Sequence, residues 1–244
     1  MPCTRRFRVG EGVGKAAKYR STCVLRVAKG RVQAQHWGVN LLMRFGLDRL
    51  CAEPSLAAGA KRVGLVTNDA ARLASDPTRR SRDALREVLR DAGIALVRLF
   101  GPEHGLSGAA ADGTPVPDEI DPLTGIPVVS LYGARMRPTP ESLRDLDVVL
   151  VDMPDVGARF YTYTWTLYHV MAACAEASVP LIVLDRPNPL GGDLTAAEGP
   201  VLDMAYRSFI GEDTIPIRHQ LTLGELARLW QRERRSCAPR TARR

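Results

Sequence analysis

Glu103 and His104 stand side by side in Gly101-Pro102-Glu103-His104-Gly105, and the mostly apolar run 94–100 feeds straight into them. A carboxylate beside an imidazole is acid–base equipment, and the flanking glycines and proline shape a turn that aims both side chains. Taken alone, the pair also fits an ordinary solvated turn. Three further carboxylates close runs of the same kind: Asp152 and Asp155 after 147–152, and Asp185 after 180–184. Glycoside hydrolysis needs an acid for the leaving oxygen and a second group to activate water, form a covalent intermediate or stabilise the oxocarbenium ion. Glu103 has the character of that acid. His104, Asp152, Asp155 and Asp185 are its candidate companions, with Asp152 or Asp155 as partner or substrate-orienting group. The competing expectation for the aspartates is helix capping or pairing with Arg159 and Arg186.

The run Phe160-Tyr161-Thr162-Tyr163-Thr164-Trp165 follows the second of these sites. Aromatic faces stack on sugar rings and phenols bond sugar oxygens, which suits a carbohydrate site. Tyr161 and Tyr163 are candidates for this, whereas Phe160 and Trp165 read as core. Arg159, Arg186 and Arg218 carry forks that fit a carboxylate or phosphate, or ordinary surface ion pairs. His104, His219, Asp152 and Asp155 could ligate a metal, but no HxH, HExxH or HxxxH spacing supports one. Gly10-Glu11-Gly12-Val13-Gly14-Lys15 is one residue short of a phosphate loop, and Ala16 replaces its Ser/Thr. The first strand runs into Asn68-Asp69-Ala70-Ala71 rather than a glycine fingerprint, so a dinucleotide is not expected either. No cofactor is expected.

The elements that position these residues follow from periodicity. Continuous apolar runs at 61–68, 94–100, 126–132, 147–152 and 180–184 read as buried strands. Helical spacing over 81–92, 140–146, 159–177 and 223–230 fills the intervals, and the mixed segment 39–50, through Leu41, Leu42, Phe45, Leu47 and Leu50, reads as a short amphipathic helix. This alternation predicts an α/β fold, a parallel sheet with helices on both faces and ligands at the carboxyl ends of the strands. The stretch 105–117 is too long for a tight turn, which marks it as functional or mobile.

With a whole-chain charge of +7, residues 1–36 hold +8 and residues 228–244 hold +6, leaving an acidic body at −7. The basic ends are therefore expected to be disordered tails that bind polyanions weakly, and a specific nucleic-acid partner is excluded. Five cysteines without a CxxC pair argue against a disulfide framework or zinc ribbon. Neither a leader-like apolar region nor a run of membrane-spanning length stands in the sequence, so a cytoplasmic location is the direct expectation.

Several longer motifs occur in order: Gly101-Pro102-Glu103-His104-Gly105, Thr124-Gly125-Ile126-Pro127-Val128, Ser130-Leu131-Tyr132-Gly133, the stretch Asp155 to Tyr163, Leu184 to Gly192, Glu198-Gly199-Pro200, and Arg218-His219 with Gly224-Glu225-Leu226-Ala227. Together they resemble the DUF1343 family of exo-β-N-acetylmuramidases, over roughly residues 61–230. The resemblance implies a Rossmann-like domain, here 37–230, with the catalytic acid on Glu103 and a second, C-terminal domain closing the cleft. It implies release of N-acetylmuramic acid from the non-reducing ends of peptidoglycan fragments, the partner being such a saccharide or muropeptide. Asn68, Tyr132, Arg159, Tyr161, Tyr163, Asp185, Arg186, Asn188, Glu198, Arg218 and His219 are the expected substrate-binding residues. Members of the family often work outside the cytoplasm. Two positions depart from the pattern: Pro154 stands where the family has Gln, and Gln220 where it has Gly. After Trp230 the Arg-rich tail 231–244 stands where the family continues, an expectation of a missing domain. It motivates a second functional expectation, a catalytically impaired binding remnant; a metal-dependent small-molecule hydrolase is the third.

Overall fold

The computed structural model describes residues 25–28, 44–57 and 59–233. Seven strands form one sheet: β1 (Leu25–Ala28), β2 (Arg62–Thr67), β3 (Ala95–Gly101), β4 (Glu119–Ile120), β5 (Pro127–Ser130), β6 (Val148–Asp152) and β7 (Leu181–Leu184). Their spatial order is β1-β7-β6-β2-β3-β5-β4, and every pairing is parallel except β4 with β5. The chain leaves β2 toward β3 on one side and resumes at β6 on the other. The topological switch point, where such sheets bind ligands, therefore lies between the ends of β2 and β6.

Five helices cover the faces: α1 (Gly46–Ala52), α2 (Ser81–Asp91), α3 (Pro140–Leu143), α4 (Thr162–Glu176) and α5 (Leu223–Arg232). Strand residues alternate between two cores. Val63, Leu65, Leu99, Val148, Leu150 and Ile182 pack with Leu47 and Leu50 of α1 and with Leu85 and Leu89 of α2. On the opposite face Val66, Phe100, Val149, Val151 and Val183 pack with α4 and α5. Burial on both sides is why these strands read as unbroken apolar runs rather than alternating ones. Helix α4 is apolar nearly all round because it lies between the sheet and α5. Trp165 and Trp230 meet there with ring centroids 5.9 Å apart, and the Trp165 indole donates to the Arg159 carbonyl at 2.7 Å.

Four expectations need correction. Leu25–Ala28, assigned to a disordered tail, is a strand in register with Leu181–Leu184. Four residues are too short a pattern to stand out of a basic stretch, and the open edge of β7 supplies the partner. Gln231 and Arg232, assigned to the C-terminal tail, still belong to α5, whose amphipathic pattern runs past Trp230, and Glu233 caps it. Residues 1–24, 29–36 and 234–244 of the tails, and Leu41 and Leu42 of the expected first helix, lie outside the described residues. The antiparallel pair β4–β5 had no two-residue signal to find. Phe160, expected in the core, is 57% exposed because α4 begins two residues later. No helix among the described residues is long and apolar enough to cross a membrane.

Candidate active site

The carboxyl ends of β2, β3, β5 and β6, with the first turn of α4, bring a cluster together. Glu103 sits two residues past β3 and is 9% exposed. Its neighbour His104 adopts φ 68°, a left-handed conformation that costs a non-glycine residue about 1–2 kcal/mol. The strain is held locally. Gly105 N donates to Pro102 O at 2.9 Å, Ala110 N donates to His104 O at 3.2 Å, and His104 Nδ1 lies 2.9 Å from Ala110 O. The imidazole thus fastens the long loop 105–117 to the Glu103 turn, with Asp112 at 3.6 Å from Nε2.

Tyr132, just past β5, hydrogen-bonds the Glu103 side chain; that bond, then burial, raises its phenol above the usual range. Phe209 lies against Tyr132 with ring centroids 5.6 Å apart. Asn68 Nδ2 donates to the Tyr163 hydroxyl at 2.7 Å, and that hydroxyl reaches Glu103 O at 3.4 Å. Tyr161 packs on Tyr163 at 4.7 Å between centroids. Burial first, then Tyr163 and the charges of Asp155 and Glu103, push the Tyr161 phenol well up. Glu103, Tyr132, Tyr161, Tyr163, Asn68 and Asp155 therefore share one neighbourhood.

Asp155 is fixed on both oxygens, by Thr164 Oγ1 at 3.2 Å and Gly157 N at 3.0 Å. His219, wholly buried, accepts from Leu221 N on Nδ1 at 3.3 Å, so its proton sits on Nε2. That Nε2 faces Asp155 Oδ2 at 3.5 Å, longer than a good hydrogen bond.

The other candidates are placed as scaffolding. Asp152 is completely buried and takes a two-pronged bond from Arg186, Nε at 2.6 Å and Nη2 at 3.0 Å. Asp185 caps α5 through Gly224 N at 2.8 Å and Thr222 Oγ1 at 2.7 Å, and burial raises its carboxyl despite those bonds. Arg159 donates to Pro200 O and Ile215 O, stapling the irregular region 194–217 to the start of α4. Arg218 donates to Leu190 O and pairs across the backbone with Glu198, whose side chain is largely exposed. Asn188 bonds Leu221 O and Leu190 N. These residues belong to the motifs quoted above, and the contacts they make are with the frame.

Gly157 shows how tight that frame is. Its φ is 79°, and an added Cβ would lie 2.2 Å from Asn188 Oδ1. Asn188 is buried and bonded at both ends of its amide, so it has nowhere to go. Gly157→Ala should lose at least about 2 kcal/mol, seen as a lower urea midpoint at unchanged slope. Gln220, at φ 58°, occupies a left-handed position of the kind glycine takes without strain. That accounts physically for the glycine expected there.

Two residues beside the cluster were overlooked. Thr164 and Thr222 hold Asp155 and Asp185, and Thr222-Leu223-Gly224-Glu225 is a legible capping box. A further buried group, Glu212 with His169 at 2.6 Å and Arg207, stands behind Phe209. Burial opposes its ionisation, but those two hydrogen bonds outweigh it and hold the carboxyl low. A cavity of about 390 Å³ is lined by Leu106 and Ser107, which follow the Glu103 turn, and by Asp69, Arg82 and Asp121. Its guanidinium is already held by the two aspartates. Among the described residues, no three His, Cys, Asp or Glu side chains group as a metal site.

Residues 63–241 match the family described as exo-β-N-acetylmuramidase NamZ, N-terminal. The chain belongs to this family. It is 45% identical over 188 residues to the peptidoglycan β-N-acetylmuramidase NamZ of Bacillus subtilis (strain 168), covering 77% of this chain and 44% of that protein. Two crystal structures of DUF1343 family proteins from Bacteroides fragilis NCTC 9343 share the fold. One has a TM-score of 0.69 at 37% identity, over 80% of this chain and 47% of the other. The second has 0.61 at 33% identity, over 78% and 47%. The chain thus spans less than half the length of the relatives it matches. What it shares with the two solved structures is the fold.

Proposed function

We propose that this chain carries the acid-bearing half of an exo-β-N-acetylmuramidase, with Glu103 as general acid toward the leaving oxygen of a terminal N-acetylmuramic acid. The observation that carries this reading is Glu103 itself. It is a nearly buried carboxylate beside a strained residue at the sheet's ligand edge, bonded by a tyrosine and ringed by two more. Similarity to a peptidoglycan β-N-acetylmuramidase supports the substrate class. Tyr132 and Phe209 offer an aromatic wall for a sugar ring next to the acid. Asp155, held by Thr164 and Gly157 at the edge of the cluster, is the candidate to steady positive charge on the sugar. Asp152 and Arg186 hold strand ends and Asp185 and Asn188 hold the start of α5, so their part is positional.

The test is release of the chromophore from an aryl β-N-acetylmuramide by the full chain. Turnover of the muramide and little of the matching aryl β-N-acetylglucosaminide, which lacks the lactyl carboxylate, is the expected result. Muropeptide binding without turnover would overturn the enzymatic reading in favour of a binding remnant.

A further inference from the structure

We propose that Tyr163 is a positioning residue whose hydroxyl fixes the peptide plane carrying Glu103, and that it makes no contact with the saccharide. This rests on Glu103 being the acid. The residue is only 3% exposed, and its hydroxyl is engaged by both Asn68 and Glu103. A phenol oxygen has one hydrogen to give and two lone pairs to receive with. Asn68 Nδ2 donates to it at 2.7 Å. Asn68 is oriented for this because its Oδ1 accepts from Ala70 N at 3.2 Å, leaving only the amide nitrogen to face Tyr163. Tyr161 packs on the Tyr163 ring at 4.7 Å between centroids. The phenol's own hydrogen goes to Glu103 O at 3.4 Å. That bond is long, and the donation from Asn68 into the oxygen polarises the O–H that makes it.

The carbonyl of Glu103 belongs to the peptide it shares with His104, the residue at φ 68°. On one side of this peptide Gly101 is pinned by the sheet, its carbonyl accepting from Leu131 N at 2.8 Å. On the other, His104 is pinned to Ala110. Tyr163 is the clamp between these two points. It ties the end of β2, the first turn of α4 and the acid-bearing turn together across the switch point of the sheet. Rotation of this peptide would turn the Glu103 side chain away from its bond with Tyr132. A misplacement of about 1 Å at a reacting group is enough to cost on the order of 100-fold in rate.

Tyr163→Phe keeps the ring and removes only the hydroxyl. Its kcat on the aryl muramide should fall about 10- to 100-fold while KM stays within about twofold. Asn68→Ala reaches the same hydroxyl from the other side and should show the same split, and the double variant should be little worse than the poorer single one. Hydrogen–deuterium exchange gives a readout free of turnover. The 101–108 peptide should exchange at least about 10-fold faster in both variants, with α2 unchanged. A KM rise at constant kcat would make Tyr163 a substrate contact and overturn the proposal, as would multiplying effects or unchanged exchange in 101–108. No muramide turnover even in the unmodified chain, with the exchange result as expected, would strike the glycosidase reading alone and leave the clamp standing.

Discussion

Glu103→Gln should abolish most turnover without unfolding the protein. Gln keeps the length of the side chain and an oxygen that can accept from Tyr132, the phenol beside Glu103. What it cannot do is give up a proton. General acid–base groups contribute about 100- to 10,000-fold, and kcat should fall by an amount in that range. Gln fills the same space as Glu at this 9% exposed position, so the melting temperature should hold.

The size of the loss should depend on the leaving group, and this separates an acid from a binding group. A dinitrophenolate leaves with little help, whereas a sugar alkoxide has to be protonated. The variant should therefore lose far more on a disaccharide than on a dinitrophenyl muramide. Equal losses on both substrates would take the acid role away from Glu103. Unchanged activity would move the chemistry to another carboxylate altogether.

The same residue marks where the sequence was informative. An apolar run ending in Gly-Pro-Glu-His-Gly announces a strand and its loop, because burial on both faces demands the run and the turn demands the glycines. Strand ends at Asp152 and Asp185 were legible for the same reason. What the spacing could not tell was the direction each carboxylate takes on leaving the sheet. Asp155 lies within the charge neighbourhood of Tyr161, as Glu103 does, while Asp185 turns down to the start of α5 and Asp152 turns into Arg186. For Asp185 and Asp152 that choice depends on partners more than thirty residues away, Thr222 and Gly224 for the first and Arg186 for the second. Such pairings have no local signature. Leu25–Ala28 escaped for another reason: a short edge strand is defined by the neighbour that pairs it, and its own four residues carry almost no pattern.

Asp152→Asn should behave in the opposite way to Glu103→Gln, losing stability and keeping its chemistry. Both partners of this pair are withdrawn from water, with side-chain exposures of 0% for Asp152 and 9% for Arg186. Arg186 also donates to Arg72 O at 2.8 Å and lies 4.7 Å from the centre of the Phe45 ring. The clamp thus ties the end of β6 to the segments after β7 and β2, and to the residue before α1. Breaking such a pair on one side leaves a buried charge without its counterpart, at about 3–5 kcal/mol. Asp152→Asn and Arg186→Met should each lower the urea midpoint by that order. The double variant should lose much less than the sum of the two, because no lone charge remains to be buried. Below its melting temperature, Asp152→Asn should keep kcat within a few-fold, since Arg186 already occupies both carboxylate oxygens and none is free for substrate. A fully stable Asp152→Asn protein that had lost its activity would restore Asp152 to the chemistry, and with it the pairing of Glu103 and Asp152 that the strand ends suggest.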